Sequence, residues 1–200
     1  MICIYCGKSI DKQTFSSIFL EKDELCYKCR SLLKLDKRRI KIDSLTIETF
    51  YDYDGIFRDL LIQYKECFDE ALAPVFLYML KDYLKYKYFG YKIVLMPSSR
   101  RKLMDRGFNH LKLIYEPVGL KIIDGLRMKE ELVQEGKSLI ERQMMKKNYI
   151  YEGPRLNKVL LVDDVVTTGS SMIGAYNALK NRCNMVKAVS LASKKKTLSF

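Results

Sequence analysis

Apolar residues between positions 56 and 84 recur at helical spacing: Ile56, Leu60 and Tyr64, then Leu72, Phe76, Leu80 and Leu84. Pro74 is tolerated in the first turn of a helix, so a new helix is predicted to start there. Four short runs with strand character follow, at 93–96, 120–123, 159–162 and 186–192. A helical pattern with Phe108, Leu111 and Tyr115 on one face separates the first two runs. Another, with Met172, Ile173, Tyr176 and Leu179, separates the last two. Strands alternating with helices predict an α/β fold whose mostly parallel sheet is covered on both faces.

Composition fits that picture. The chain has 200 residues, 48% hydrophobic and 30% charged, which is globular and excludes wholesale disorder. At roughly 100–200 residues per domain, one or two domains are expected. The net charge of +12 points to a polyanionic partner, nucleic acid first and phosphorylated ligands or acidic lipid behind, or else to a lysine-rich surface kept for solubility. Basic residues cluster at 34–41, 100–106, 146–158 and 194–196, with fourteen tyrosines spread among them. A basic groove with aromatic platforms is how single strands are bound. The start Met1-Ile2-Cys3-Ile4 is not a signal peptide, and the uncharged stretch that could tempt a membrane reading, 73–80, is too short to span a bilayer. A soluble, cytoplasmic protein without membrane insertion is expected. The single histidine, His110, excludes multi-histidine metal sites. Beside the apolar face of Phe108, Leu111 and Tyr115, it is expected to be an exposed or capping residue.

Four of six cysteines lie near the start, as Cys3-x2-Cys6 and Cys26-x2-Cys29. Two residues between cysteines let one tight turn aim both sulfurs at one ion, and two such turns complete a tetrahedron. Gly7 suits such a turn. The spacing predicts a structural Zn²⁺ site with no open position; a redox pair or an iron–sulfur cluster is the alternative. The charged stretch 34–43 reads as a junction. This places a zinc-ribbon-like module and linker at 1–44 and the main domain at 45–200. Cys67 and Cys183 are expected as packed thiols.

The most specific segment runs from Val159 to Ser171. An apolar strand leads into Asp163 and Asp164, then into Thr167-Thr168-Gly169-Ser170-Ser171 and an amphipathic helix. A strand end in a parallel sheet is where ligands bind in open α/β folds. The turn offers backbone N–H groups, hydroxyls and the positive end of a helix to a phosphate, and Gly169 permits close approach. The adjacent carboxylates suit vicinal ribose hydroxyls. Neither a Walker loop nor G-x-G-x-x-G occurs.

This segment resembles the phosphoribosyl pyrophosphate signature of the type I phosphoribosyltransferases. The resemblance widens along the chain. The double Cys-x2-Cys, the strand-loop Val94-Leu95-Met96-Pro97-Ser98-Ser99-Arg100, the segment Asp105-Arg106-Gly107-Phe108-Asn109, the stretch Gly136-Lys137-Ser138-Leu139…Arg142 and the acid-pair loop come in the order seen in ComF-type competence proteins. It implies a phosphoribosyltransferase-like domain behind a zinc finger, and a role with single-stranded DNA in natural transformation, with other DNA-uptake proteins as partners. It also implies that Asp163 and Asp164 bind ribose, that Thr167, Thr168, Gly169, Ser170 and Ser171 bind the 5′-phosphate, and that Ser98, Ser99 and Arg100 form the pyrophosphate loop, with Mg²⁺ accompanying the pyrophosphate. Arg101, Lys102 and Arg106 follow that loop and suit closure over the ligand or contact with DNA. His110 stands where the family commonly has Gln, and Met145 where it often has Asn, with Asn148 nearby. Thr167 stands where purine-salvage enzymes carry an acid, which counts against hypoxanthine or guanine transfer. Whether the chain is an active transferase of unknown acceptor or a binding protein stays open at this level.

Overall fold

The computed structural model describes residues 1–10, 23–128 and 149–194. The stretch 136–142, Met145 and Asn148 lie outside the described residues.

Helix α1 (Tyr27–Leu32) is followed by strands β1 (Arg38–Ile42) and β2 (Leu45–Asp52), helices α2 (Gly55–Glu66), α3 (Ala73–Leu77) and α4 (Lys81–Lys87), and strand β3 (Lys92–Leu95). Helices α5 (Arg100–Arg106) and α6 (His110–Tyr115) come next, then strands β4 (Leu126–Met128), β5 (Tyr149–Tyr151) and β6 (Leu156–Val166), helix α7 (Ser170–Leu179) and strand β7 (Cys183–Ser193). The main sheet has the order β1-β2-β7-β6-β3, with β1 antiparallel to β2 and every other pair parallel. This is the expected mostly parallel α/β sheet. Residues 159–162 of β6 are buried at every position, so both faces of the strand are covered. Pro74 lies in the first turn of α3, as its fixed φ favours.

The sequence pattern misses three things. The stretch 34–43, expected as a linker, carries β1, which pairs with β2 through Ile40↔Ile47 and Ile42↔Leu45. Only Ile40 and Ile42 in that strand are apolar; Arg38, Arg39 and Lys41 give it the charged character of a protected sheet edge. The run at 120–123 is not a full strand: Ile122 makes one isolated parallel bridge with Ile93. Strands β4 and β5 form a separate antiparallel pair, each of three residues and too short to show a period.

The core is continuous from the sheet into the cysteine module. Cys3, Leu25, Cys29 and Leu33 are buried in the same apolar cluster as Phe50, Leu60, Tyr64 and Phe76. Polar contacts fasten the module too. Arg30 ion-pairs with Asp23, donates from Nη1 to the Val75 carbonyl at 2.9 Å, and lies over the Tyr78 ring at 4.7 Å. Tyr5 donates to Asp59 at 3.3 Å. Cys183 is buried as expected, whereas Cys67 is exposed, because the helix carrying the pattern ends at Glu66 and leaves it in the turn.

Candidate functional site

Strands β3 and β6 lie side by side in parallel, so the loops that leave them emerge at the same edge. From β3 the chain passes through Pro97, Ser98 and Ser99 into α5, whose first free N–H groups Ser99 caps: its Oγ accepts from Lys102 N at 3.4 Å. From β6 it passes through Thr167, Thr168 and Gly169 into α7. Thr168 Oγ1 accepts from Ser170 N at 3.4 Å and lies 2.9 Å from Ser170 Oγ. Thr167, Thr168 and Ser170 are exposed and Ser171 is half-buried, so the hydroxyls and the amino end of α7 face outward. Gly169 is buried at φ 74°, and an added Cβ would come within 2.0 Å of Ile42 Cδ1. The loop therefore rests directly on β1.

The two carboxylates part company. Strand β6 continues to Val166, so its alternation places Asp164 on the same face as Val162 and Val166, both buried, and Asp163 on the other. Asp164 is 6% exposed. Its Oδ2 stands 2.7 Å from His110 Nε2 and ion-pairs with Lys65 Nζ. Burial alone would raise the carboxyl pKa, but His110 and Lys65 outweigh it and hold Asp164 well below the usual carboxylate range. Asp163 is half-buried, and its Oδ1 accepts from Asp164 N at 2.9 Å. Tyr115 donates to the Asp163 carbonyl at 3.0 Å and fixes the strand backbone there.

His110 is buried, not the exposed or capping residue expected; Asn109 is the cap of α6, its Oδ1 accepting from Lys112 N at 3.2 Å. His110 Nδ1 lies 3.5 Å from Ser98 Oγ and 3.4 Å from Arg106 Nη1. An ionised Asp164 can only accept, so Nε2 carries the proton and Nδ1 accepts from Ser98 or Arg106. Burial pushes the His110 pKa down, against the pull of Asp164. One neutral imidazole thus ties the β3 loop to the acid of β6. Tyr64 donates to the His110 carbonyl at 2.8 Å from below.

The flanking cations divide as well. Arg106 turns inward, donating from Nε to the Lys65 carbonyl at 3.0 Å and pairing with Glu66 at 3.3 Å; its side chain is 8% exposed. Arg101 and Lys102 are exposed. The Arg100 backbone opens α5, and its side chain lies outside the described residues. Lys65 was not foreseen: beside Leu61 and Tyr64 it reads as the polar flank of an amphipathic helix, and only the three-dimensional meeting of α2 with β6 gives it a partner. Next to the β3 loop a cleft of about 730 Å³ opens, lined by Ser98, Ser99, Asn109, Asp124, Arg127 and apolar neighbours. Its size suits a small ligand. The loop 167–171 does not line it.

In the N-terminal module the four cysteine sulfurs lie within 4.8 Å of one another, with Cys6 and Cys26 at 3.8 Å. A tetrahedron with metal–sulfur bonds of ~2.3 Å has edges of about that length, so the donor set fits a divalent ion. Gly7 N donates to the Cys3 carbonyl at 2.9 Å, with Gly7 at φ 70°, which closes the first turn. Burial pushes the Cys3 thiol up, but the backbone groups of Cys26, Cys6 and Tyr5 outweigh it and lower it, whereas burial and the neighbouring sulfurs push Cys29 up. No helix among the described residues is long and apolar enough to cross a membrane.

A curated relative, the competence protein ComFC of Streptococcus pneumoniae, is 31% identical over 153 residues, covering 76% of this chain and 68% of the relative. No protein-family model matches the chain. Among solved structures, a hypoxanthine phosphoribosyltransferase from Staphylococcus aureus aligns with a TM-score of 0.42 and 12% identity, over 66% of this chain and 68% of that one. An orotate phosphoribosyltransferase from Aeropyrum pernix aligns with a TM-score of 0.38 and 16% identity, over 83% and 78%.

Proposed function

The chain belongs to the ComFC family of competence proteins, and from that premise we propose that it handles single-stranded DNA during natural transformation, in the cytoplasm, while keeping a phosphoribosyl pyrophosphate-type site at the carboxyl edge of its sheet. The observation that carries the ligand site is the β6–α7 junction: outward-facing hydroxyls of Thr167, Thr168 and Ser170 at the amino end of a ten-residue helix, directly after Asp163 and next to the loop of Ser98 and Ser99. In this reading Thr167 to Ser171 take the 5′-phosphate, Asp163 takes ribose hydroxyls, and Ser98 and Ser99 face the pyrophosphate, with Mg²⁺ arriving on the ligand and keeping several waters. Asp164 supports the site from beneath through His110 and Lys65. Zn²⁺ on Cys3, Cys6, Cys26 and Cys29 serves to hold the N-terminal module against α2 and α3.

The test is thermal unfolding with phosphoribosyl pyrophosphate and Mg²⁺. At 100 times its dissociation constant the ligand adds ~2.7 kcal/mol. No rise in melting temperature at millimolar ligand removes the sugar-phosphate reading.

The cleft beside Ser98 and Ser99 favours a second reading, an active transferase whose acceptor lies there. Pyrophosphate release from the sugar donor with a panel of bases separates a transferase from a binding protein.

A further inference from the structure

The ligand loops occupy the carboxyl edge of the sheet. The opposite edge carries a different kind of surface. Helix α4 ends at Lys87, and the chain enters β3 through Tyr88, Phe89, Gly90 and Tyr91. Tyr86 is 76% exposed and Phe89 is 82% exposed. Leu84 and Tyr88 of the same segment are buried and anchor it, so the two exposed rings stand on a fixed support. Tyr91 joins that support to the sheet. Its ring meets Tyr88 edge-on with centroids 5.5 Å apart, its hydroxyl donates to Met185 Sδ at 2.9 Å, and Lys158 Nζ lies 5.7 Å from its centre.

Cations lie along the same edge. The register sets Lys92 beside Val159 and Lys158 beside Met185, all at the starts of their strands. The Lys121 carbonyl accepts from Ile93 N at 2.9 Å, which brings Lys121 to the same edge. Lys85 is exposed on α4 next to Tyr86. Among the acids of this face, Glu48 is buried and held by Lys87, Tyr83 and Tyr88, so its charge is spent internally; Asp82 on the first turn of α4 and Glu116 on the short helical turn packed against α4 are exposed. At the carboxyl edge Arg106 is turned inward, while Arg101 and Lys102 are exposed.

Large aromatic rings held out in water on an edge that also carries ammonium groups match a partner with both flat apolar faces and regular negative charge. Single-stranded nucleic acid has unstacked bases for the rings and phosphates for the lysines, whereas a duplex hides its base faces. We propose that the amino edge of the sheet binds single-stranded nucleic acid, with Tyr86 and Phe89 as stacking platforms and Lys85, Lys92, Lys121 and Lys158 meeting the backbone. This inference rests on the single-strand reading above and places the strand away from the sugar-phosphate loops. Lys158 and Asp164 are both on β6, ~20 Å apart at ~3.3 Å per residue, so both ligands bind at once.

The experiment is fluorescence anisotropy of a labelled oligodeoxythymidine with the full zinc-loaded chain. The wild type binds, and replacing both Tyr86 and Phe89 by Ala weakens binding ~10-fold or more. The melting temperature stays the same, because neither ring is buried. Lys85→Ala with Lys158→Ala lowers the slope of log K against log salt by ~0.7 for each phosphate that is no longer neutralised. Excess phosphoribosyl pyrophosphate does not displace the strand. No binding by the wild type removes the single-strand reading itself. Binding that is unchanged in the double aromatic variant, or that the sugar ligand displaces, leaves that reading intact and overturns this surface; the rings then belong to a protein contact or the strand to the carboxyl edge.

Discussion

His110 Nε2 and Asp164 Oδ2 stand 2.7 Å apart in the interior, and between them they join the loop of β3 to the acid pair of β6. Adjacent in sequence, Asp163 and Asp164 do different work. One is half-buried beside the candidate ligand loops; the other is an internal anchor for α2 and α6 through Lys65 and His110.

Single substitutions separate those roles. Asp163→Asn should leave the melting temperature of the free protein within a few degrees of wild type and abolish the rise caused by phosphoribosyl pyrophosphate with Mg²⁺. Asp164→Asn should destabilise the free protein by about 3 kcal/mol, because it leaves Lys65 charged without its carboxylate. Thermal unfolding with and without ligand reads both. Equal stability of the two free variants would refute the division.

Acid should unfold the protein in a window set by His110. Burial lowers its folded pKa below the unfolded value of 6.5, with Asp164 opposing and Lys65 and Arg106 assisting. Below 6.5 the unfolded chain therefore takes up a proton that the folded chain does not. The stability is full above 6.5 and is lost as pH falls below it and through the lower folded value. Asp164 does not contribute in this window, since its loss begins below its unfolded value of 3.8. Urea midpoints between pH 7.5 and pH 5.5 should fall for the wild type. In His110→Gln, whose amide can still donate to Asp164, they should change less. An equal fall in both would remove His110 from the account.

A second acid step belongs to Glu48. This carboxyl is 4% exposed on β2, and burial alone would raise its pKa. Lys87, Tyr83, Tyr88 and Lys37 outweigh that and bring it down from 4.5 to about 2. Stability from this group is present above pH 4.5 and disappears as pH falls towards 2, on the order of 3 kcal/mol. Glu48→Gln should lower stability at pH 7 and flatten the denaturation profile below pH 4.5. A Gln variant as stable as wild type at neutral pH would show that the lysines repay nothing.

Much of this was legible in the chain. Strand β6 and helix α7 could be read because four consecutive aliphatic residues and a helical stripe flank a turn rich in Thr, Gly and Ser. The acid pair was visible as chemistry but not as geometry. Two carboxylates after an apolar run look like a strand end in solvent, yet the strand continues through Val165 and Val166. The alternation of Val162, Asp164 and Val166 on one face was the available signal that Asp164 points inward. His110 and Lys65 carry no such signal. Each is one polar residue at the margin of an apolar helix face, and what buries them is the packing of α2 and α6 around β6. Strand β1 was hidden by its charge, since an edge strand needs apolar residues on one face only.

The cysteine module should report its metal through the main domain. Elemental analysis should find about one Zn²⁺ per chain, because one four-sulfur cluster is present among the described residues. Cys26→Ser should lose the ion and loosen the module, exposing the contacts of Arg30 with Val75 and of Tyr5 with Asp59. Faster hydrogen exchange across α1 and the adjoining face of α3 would register this. A metal-free protein with four reactive thiols and unchanged exchange would remove the structural role.

Gly169 offers the sharpest local test of how the phosphate loop is supported. Two separate obstacles meet any larger residue there. The backbone sits at φ 74°, which L residues adopt at a cost of about 1 kcal/mol, and the new Cβ would lie 2.0 Å from Ile42 Cδ1. Ile42 is the far end of a flexible side chain on an edge strand, so the clash can be relieved, while the dihedral strain cannot. Gly169→Ala should therefore destabilise the protein by about 2 kcal/mol and weaken the response to phosphoribosyl pyrophosphate by displacing Thr168 and Ser170. Adding Ile42→Val, which shortens the chain at Cδ1, should recover part of the stability and part of the ligand response, but not all of either. Full recovery would mean that the clash with β1 is the whole effect; no recovery would mean that the loop's dihedral angles alone set the position of its hydroxyls.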